Sequence, residues 1–219
     1  MARELTTTSY AILGLLGIRP WSTYELAKQM RRNLHYFWPR AESNLYAEPK
    51  RLVEGGFARA RQQPQGSRRR TLYEITPAGR KALEQWLRMP ASGSRMESEA
   101  LVKLMFAANG SKADLLVTLR RFRDEAESKQ TALSAIFQEY LRGEDPFPQR
   151  VHICVVAYRM IWAHAQADIA WATWAIGEVQ RWRDTNVPSG RPKLMEVLRD
   201  ALSEKSIESA SGKSSSISR

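Results

Sequence analysis

The sequence predicts a mainly α-helical protein in two parts. Three short helices, a β-hairpin and a fourth helix come first, and a pair of long antiparallel helices follows. Three observations carry this reading. Helix start and stop signals recur at short intervals before Phe57. The hydrophobic period then switches to two between Phe57 and Thr76. From Leu115 onward, two long stretches place apolar residues at alternating steps of four and three, as in helices that pack lengthwise on one another.

The elements follow in order. "TTTSYAILGLLG" offers Thr8 or Ser9 as a cap and Gly17 as a stop, which predicts a buried helix over about 8–17. In "WSTYELAKQM", Ser22 and Glu25 have capping-box spacing, and Trp21 and Leu26 hold the two positions of a hydrophobic staple. A helix over about 23–32 results, with Leu26, Ala27 and Met30 inward. A third helix begins near Glu42 or Ser43 and ends at Gly55–Gly56. Its apolar stripe is Leu45, Pro49, Leu52 and Val53; Ser43, Ala47, Lys50, Arg51 and Glu54 lie opposite, with Asn44 on the flank. Pro49 removes a backbone donor, so a bend or a late start is expected there.

"FARARQ" (57–62) and "RTLYEIT" (70–76) alternate as strands around a "PQG" turn, and Pro77 suits the first turn of a fourth helix. Three helices followed by a two-stranded wing is the winged helix-turn-helix arrangement. "RMPASGSRMES" (88–98) has linker composition, and a short helix over about 97–108 ends at Asn109–Gly110. The helix expected over 112–142 carries its stripe at 115, 119, 122, 126, 129, 133, 136 and 140, broken only by Lys129. After the turn "GEDPFP", a helix over about 149–185 repeats the pattern from Val151 to Val179. That helix also has a second apolar row: Ile153, Ala157, Met160, Ala167, Trp171 and Trp174. One partner helix cannot cover both rows, so a second copy of the chain is expected against it. A short helix is expected over 191–202, and the Ser-rich stretch 203–219 reads as a disordered tail.

The charge is uneven. The 219 residues carry a net +11. Residues 1–89 hold 16 Lys/Arg against 7 Asp/Glu, and residues 90–219 hold 18 against 16. The polyanion signal therefore lies in the first part. The single cysteine, Cys154, allows no internal disulfide and fits a reducing compartment. The N-terminus lacks a signal-peptide pattern. The most apolar stretch, 151–179, contains Arg159, His164, Gln166 and Asp168, which argues against a membrane span.

Four segments of the first part, "SYAILGLL" (9–16), "STYELAKQM" (22–30), "NLYAEPKRLVEGGFA" (44–58) and "RRTLYEITPAGRKAL" (69–83), together with "EALVKLMFA" (99–107), resemble the PadR family of bacterial transcriptional regulators. The resemblance spans about residues 5–185. The length of the second part is similar to the branch with a large multi-helix dimerisation domain. The resemblance implies homodimeric repressors, some released from DNA by small aromatic or amphipathic molecules. It also implies that Tyr46 grips the DNA backbone near the start of the third helix. Pro49 departs from the family's pattern.

The domain reading is a winged helix-turn-helix domain over 1–89, an antiparallel α-helical dimerisation domain over 90–202 with a possible effector role, and the tail over 203–219. The candidate DNA-binding residues are Ser43, Asn44, Tyr46, Lys50 and Arg51 on the third helix, with Arg68, Arg69 and Arg70 on the wing. The helix residues face base edges or phosphates, whereas the wing arginines meet phosphates and read no sequence. Trp162, Trp171, Trp174 and Trp182 crowd the last long helix; they form either an aromatic effector pocket or plain core and interface packing. His164 and Asp168 stand four residues apart and could pair, either as a structural pair or as part of that effector site. No spacing of His35, His152, His164 and Cys154 suits a metal, and no motif suggests an enzyme or a cofactor. The expected protein is a cytoplasmic homodimeric regulator, a repressor, on a pseudo-palindromic site in double-stranded DNA. The alternative is a basic helical module that binds RNA or anionic membrane without sequence specificity.

Overall fold

The computed structural model describes residues 4–39, 42–65, 68–186, 194–200 and 202; the side chains of Asn33, Glu42, Ser43, Asn44, Gln65 and Arg68 lie outside that description. The chain divides into two compact units, Met1–Arg95 and Met96–Arg219. The division falls inside the stretch read as linker, a few residues beyond the boundary expected at 89. The expected tail, 203–219, lies outside the described residues.

In the first unit, helix α1 (Thr7–Ile18) starts one residue before the expected 8, and its cap lies two or three residues before the expected Thr8 or Ser9. Thr6 is the cap, and Ser9 is its capping-box partner rather than the cap itself: the Ser9 N–H donates to Thr6 Oγ1 at 3.2 Å and the Thr6 N–H to Ser9 Oγ at 2.9 Å. Helix α2 (Thr23–Gln29) starts from the predicted Ser22–Glu25 box. The Ser22 N–H donates to Glu25 Oε2 at 2.9 Å. One wide turn, Met30–Leu34, closes α2, with the His35 N–H donating to the Met30 carbonyl at 2.9 Å. Helix α3 (Glu42–Glu54) begins where expected and runs on through Pro49, so the late start does not occur. Pro49 and Leu52 are fully buried, and Leu45 on the same stripe is buried. Gly56, at φ 76°, ends the helix in the left-handed region that glycine adopts freely.

The hairpin is longer than the sequence suggests. Strand β1 is Ala58–Gln65 and β2 is Arg68–Ile75, paired antiparallel with Ala60 opposite Tyr73 and Pro64 opposite Arg69. Pro64 therefore belongs to a strand, not to the turn. The reason lies in the ladder. Tyr73 exchanges both backbone hydrogen bonds with Trp21, at 3.1 and 2.8 Å, so its polar groups point away from β1. Pairs two and four residues along share that orientation, and Pro64 is at such a position, where a missing N–H costs no ladder bond. Gly66 and Ser67 between the strands lie outside the described residues.

Helix α4 (Pro77–Leu87) is capped by Thr76, whose Oγ1 accepts from the Gly79 N–H at 3.1 Å and donates to the Gly56 carbonyl at 2.7 Å. Trp86 of α4 stacks on Tyr10 of α1 at 4.8 Å. The core between these elements is Ile12, Leu13, Leu16, Trp21, Leu26, Ala27, Met30, Leu52 and Tyr73.

The second unit contains α5 (Glu99–Met105), α6 (Lys112–Leu141) and α7 (Val151–Arg181). Of the predicted α6 stripe, Leu115, Leu119, Ala126, Leu133 and Ile136 are buried; on α7, Tyr158, Ala165, Ala172, Ile176 and Val179 are buried. The pair is fastened at one end by Lys112, whose ammonium donates to the carbonyls of Gln180 and Trp182 at 2.9 and 2.6 Å, a cation placed on the C-terminus of α7. Gly143, at φ 69°, ends α6 at the other end. Residues 194–200 are helical.

Gly79 is a point where only glycine fits. A Cβ there would lie 2.1 Å from the carbonyl oxygen of Phe57, a backbone atom that cannot step aside. Gly79→Ala is expected to destabilise the protein by about 3 kcal/mol, although alanine is the better helix former, because overpacking outweighs propensity. Chemical denaturation followed by tryptophan fluorescence measures it; a neutral or stabilising result contradicts the close approach.

Candidate nucleic-acid interface

Helix α3 presents two faces. Its inner face is held by apolar burial and by one polar tie. The Glu48 carboxylate, only 9% exposed, accepts from the Ser9 hydroxyl at 2.5 Å, and Arg51 approaches its other oxygen at 3.5 Å. The indole N–H of Trp38 donates to Thr8 Oγ1 at 3.1 Å, which fixes the chain entering α3 against α1. The outer face carries the predicted Tyr46, Lys50 and Arg51, all exposed. Lys50 has no hydrogen-bond or ion-pair partner among the described residues. Ser43 and Asn44 belong to the first turns of α3, but their side chains lie outside the described residues.

The wing separates the arginines that adjoin in sequence. Arg59 and Arg61 on β1 both pair with Glu74 on β2, at 2.6 and 3.2 Å. The Arg59 hydrogen bond outweighs desolvation, and with help from Arg61 it holds the Glu74 carboxyl below its ordinary value. Arg69 is exposed and has no polar partner among the described residues. The Arg68 side chain lies outside them. Arg70 turns inward: it forms an ion pair with Glu25 and donates to Ser22 Oγ at 3.2 Å. Glu25 also receives Arg19 at 3.4 Å, and the Arg19 guanidinium lies 3.6 Å from the centre of the Trp21 ring. Burial disfavours the Glu25 carboxylate. The hydrogen bonds from Arg70 and from the Ser22 N–H and hydroxyl override this and hold its pKa at about 2.

In the second unit the predicted effector residues do not converge. Trp162 packs on Phe137 at 5.3 Å and Trp171 meets Phe122 edge-on at 5.3 Å, while Trp174 and His164 are exposed. Asp168 faces Lys129 across the helix pair at 4.0 Å, so it pairs with the one charged residue of the α6 stripe. Cys154 is half-buried, and burial in the same region pushes the Tyr140 hydroxyl up. Among the described residues, no group of three metal-ligand side chains occurs, and no helix is long and apolar enough to cross a membrane.

Residues 12–85 match the Transcriptional regulator PadR-like family, and residues 96–180 match the Virulence activator alpha C-term family. The chain carries a PadR-like regulator domain followed by a Virulence activator alpha C-terminal region. This PadR-like chain is 29% identical over 133 residues to the Negative transcriptional regulator PadR of Bacillus subtilis, covering 60% of the chain and 71% of that protein. It is 28% identical over 127 residues to the Probable transcriptional regulator Rv1176c of Mycobacterium tuberculosis, covering 53% of the chain and 67% of that protein. In fold it is similar to B. subtilis PadR in complex with operator DNA, with a TM-score of 0.66, 21% identity and coverage of 80% of this chain and 99% of the other. It is also similar to the Vibrio cholerae virulence activator AphA, with a TM-score of 0.61, 23% identity and coverage of 80% and 98%.

Two acidic residues of this PadR-like chain escaped the sequence reading as parts of the interface. Glu25 was legible as a helix cap, but its second role needs Arg70, 45 positions away in sequence. Glu48 shows no signal beyond its position beside Pro49 on the inner edge of α3.

Because the Glu25 pKa is lowered from 4.5 to about 2, its ion pairs contribute stability that is fully present above about pH 4.5 and is lost as pH falls toward 2. Glu25→Gln is expected to melt below the parent protein at neutral pH, with the gap closing between pH 4.5 and 2. Thermal melts of both proteins across that range measure the gap; a constant difference contradicts the pairing.

Proposed function

We propose that the protein is a cytoplasmic, homodimeric, DNA-binding transcriptional regulator that acts as a repressor on a pseudo-palindromic operator. The observation that carries the proposal is the outer face of α3: Lys50 and Arg51 with Tyr46 stand exposed on a winged-helix unit of strong positive charge, while the opposite face of the same helix is buried. In this reading α3 enters the major groove, Ser43, Asn44 and Lys50 meet base edges, and Tyr46 and Arg51 meet the backbone. Arg69, with Arg68, lies along phosphates beside the groove. The B. subtilis relative is a negative regulator and has been crystallised with operator DNA, which supports repression and DNA as the partner.

Dimerisation is proposed from α7. Ile153, Val156, Met160 and Trp174 are exposed on it, Val156 by 75%, although the helix is already paired along its other side with α6. Apolar surface of this kind calls for a partner, and a second copy supplies a self-complementary one. Two copies would address half-sites about 10 bp apart or a multiple of that. B. subtilis PadR has also been crystallised with p-coumaric acid, a small aromatic acid. We extend the same class of effector to this chain, with Trp162, Trp171, Trp174 and His164 as the residues to test.

Footprinting on the DNA upstream of the protein's own gene tests the proposal directly. The expected result is a protected, two-fold-related site preferred over random duplex by about three orders of magnitude. Binding that is salt-sensitive but sequence-blind supports the RNA or membrane alternative instead. The double change Lys50→Ala with Asn44→Ala should reduce operator affinity by about 1–3 kcal/mol for each lost base contact and relax base preference. Sedimentation at micromolar concentration should find dimers; single chains alone, with or without DNA, would defeat the dimeric reading.

A further inference from the structure

Arg69 and Arg70 of the wing look alike in sequence, yet the fold treats them differently. The antiparallel bridge between Trp21 and Tyr73 runs Ser22 and the start of α2 alongside the residues that precede Tyr73. This brings the Ser22–Glu25 capping box within reach of Arg70. Strand alternation then decides the outcome: Arg70, opposite Gln63, shares a ribbon face with Arg59, Arg61 and Glu74, whereas Arg69, opposite Pro64, points to the other face. Arg70 reaches both Glu25 and Ser22, and Glu25 is additionally held by the Ser22 N–H and by Arg19.

From this geometry we infer that Arg70 and Glu25 are positioning residues for DNA binding: they lock the base of the wing to α2, and the charge of Arg70 is spent inside the protein while Arg69 makes the phosphate contact. The inference rests on the DNA-binding reading proposed above. Its consequence is a division of labour within a run of like charges. A guanidinium held by a carboxylate of the protein neutralises no phosphate and so releases no counterion condensed on the DNA, and it adds nothing to the salt dependence of binding. Its loss acts through the wing's placement and weakens binding by a factor that is the same at every salt concentration. Glu25 has the converse property. Without its charge, Arg70 is released toward solvent and becomes available to phosphate.

Binding of the full chain to a duplex of its own upstream region, and to a random-sequence duplex of the same length, is measured over a range of salt by fluorescence anisotropy. Arg69→Met is expected to lower the slope of log K against log salt by about one unit. Arg70→Met should leave the slope unchanged and lower affinity several-fold. Glu25→Gln should steepen the slope by up to about one unit, and adding Arg70→Met to it should return the slope to that of the parent. A general field effect of the lost carboxylate would persist in the double variant, and that result overturns the inference. A drop of about one unit for Arg70→Met alone also overturns it, because Arg70 would then be a phosphate contact. Hydrogen exchange in the free protein gives an independent readout. Arg70→Met and Glu25→Gln should both speed exchange at the amides of Trp21 and Tyr73, and unchanged rates contradict the lock. If the parent protein binds neither duplex, the DNA-binding reading fails, while the exchange experiment still tests the lock.

Discussion

A ribbon of two strands is marginal in water, and the wing of this protein stands only because its base is held. The hold is the pair of backbone hydrogen bonds between Trp21 and Tyr73, which gives β2 a second neighbour. Trp21 is 1% exposed, and its indole N–H donates to the Leu15 carbonyl at 2.7 Å, so the bridge is anchored in α1 as well. Arg19 covers the ring from one side. The Ser22 cap, the Glu25 carboxylate and Arg70 all follow in space from that single bridge. Helix, wing and the turn between them are one cooperative piece, in which a carboxylate that starts a helix also orients a β-ribbon.

The same economy governs α3. A helix that must offer one face to a partner needs the other face fixed, and here the fixing is apolar through Leu45, Pro49 and Leu52 and polar through Glu48 and Ser9. The Ser9 hydroxyl that completes the cap of α1 also donates to Glu48, so the start of one helix is coupled to the middle of another. Proline in the body of a helix forfeits a backbone hydrogen bond. Its tight burial offsets part of that loss and leaves Lys50 and Arg51, one and two residues on, turned outward.

The C-terminal unit rests on simpler physics. Two helices of about thirty residues interlock through a seam of alternating four and three. Lys129, the one break in the seam, is tolerated because Asp168 stands across from it. Lys112 ties the two helices at one end, and Gly143 ends α6 at the other. Packing one side of α7 leaves a second apolar row facing outward, a surface whose chemistry suits another apolar surface rather than water.

Much of this was legible in the amino-acid order, and it was the local part. The capping box of α2, the seam, the switch from period 3.6 to period two and the outer face of α3 are all written over a few consecutive residues, because each is set by backbone geometry within one element. The cap of α1 lies two or three residues before the expected one, since Thr6, Thr8 and Ser9 can all cap a helix and long-range contacts engage the other two, Thr8 with Trp38 and Ser9 with Glu48. The turn residues of the hairpin were misjudged for a like reason: Pro64 reads as a breaker unless the direction of the ladder is known. What tertiary structure alone decided was pairing. Which arginine of three is bound internally, which carboxylate receives it, and whether Asp168 meets His164 or Lys129 depend on distances between residues far apart in sequence. Charge follows proximity in space, and no local pattern encodes that.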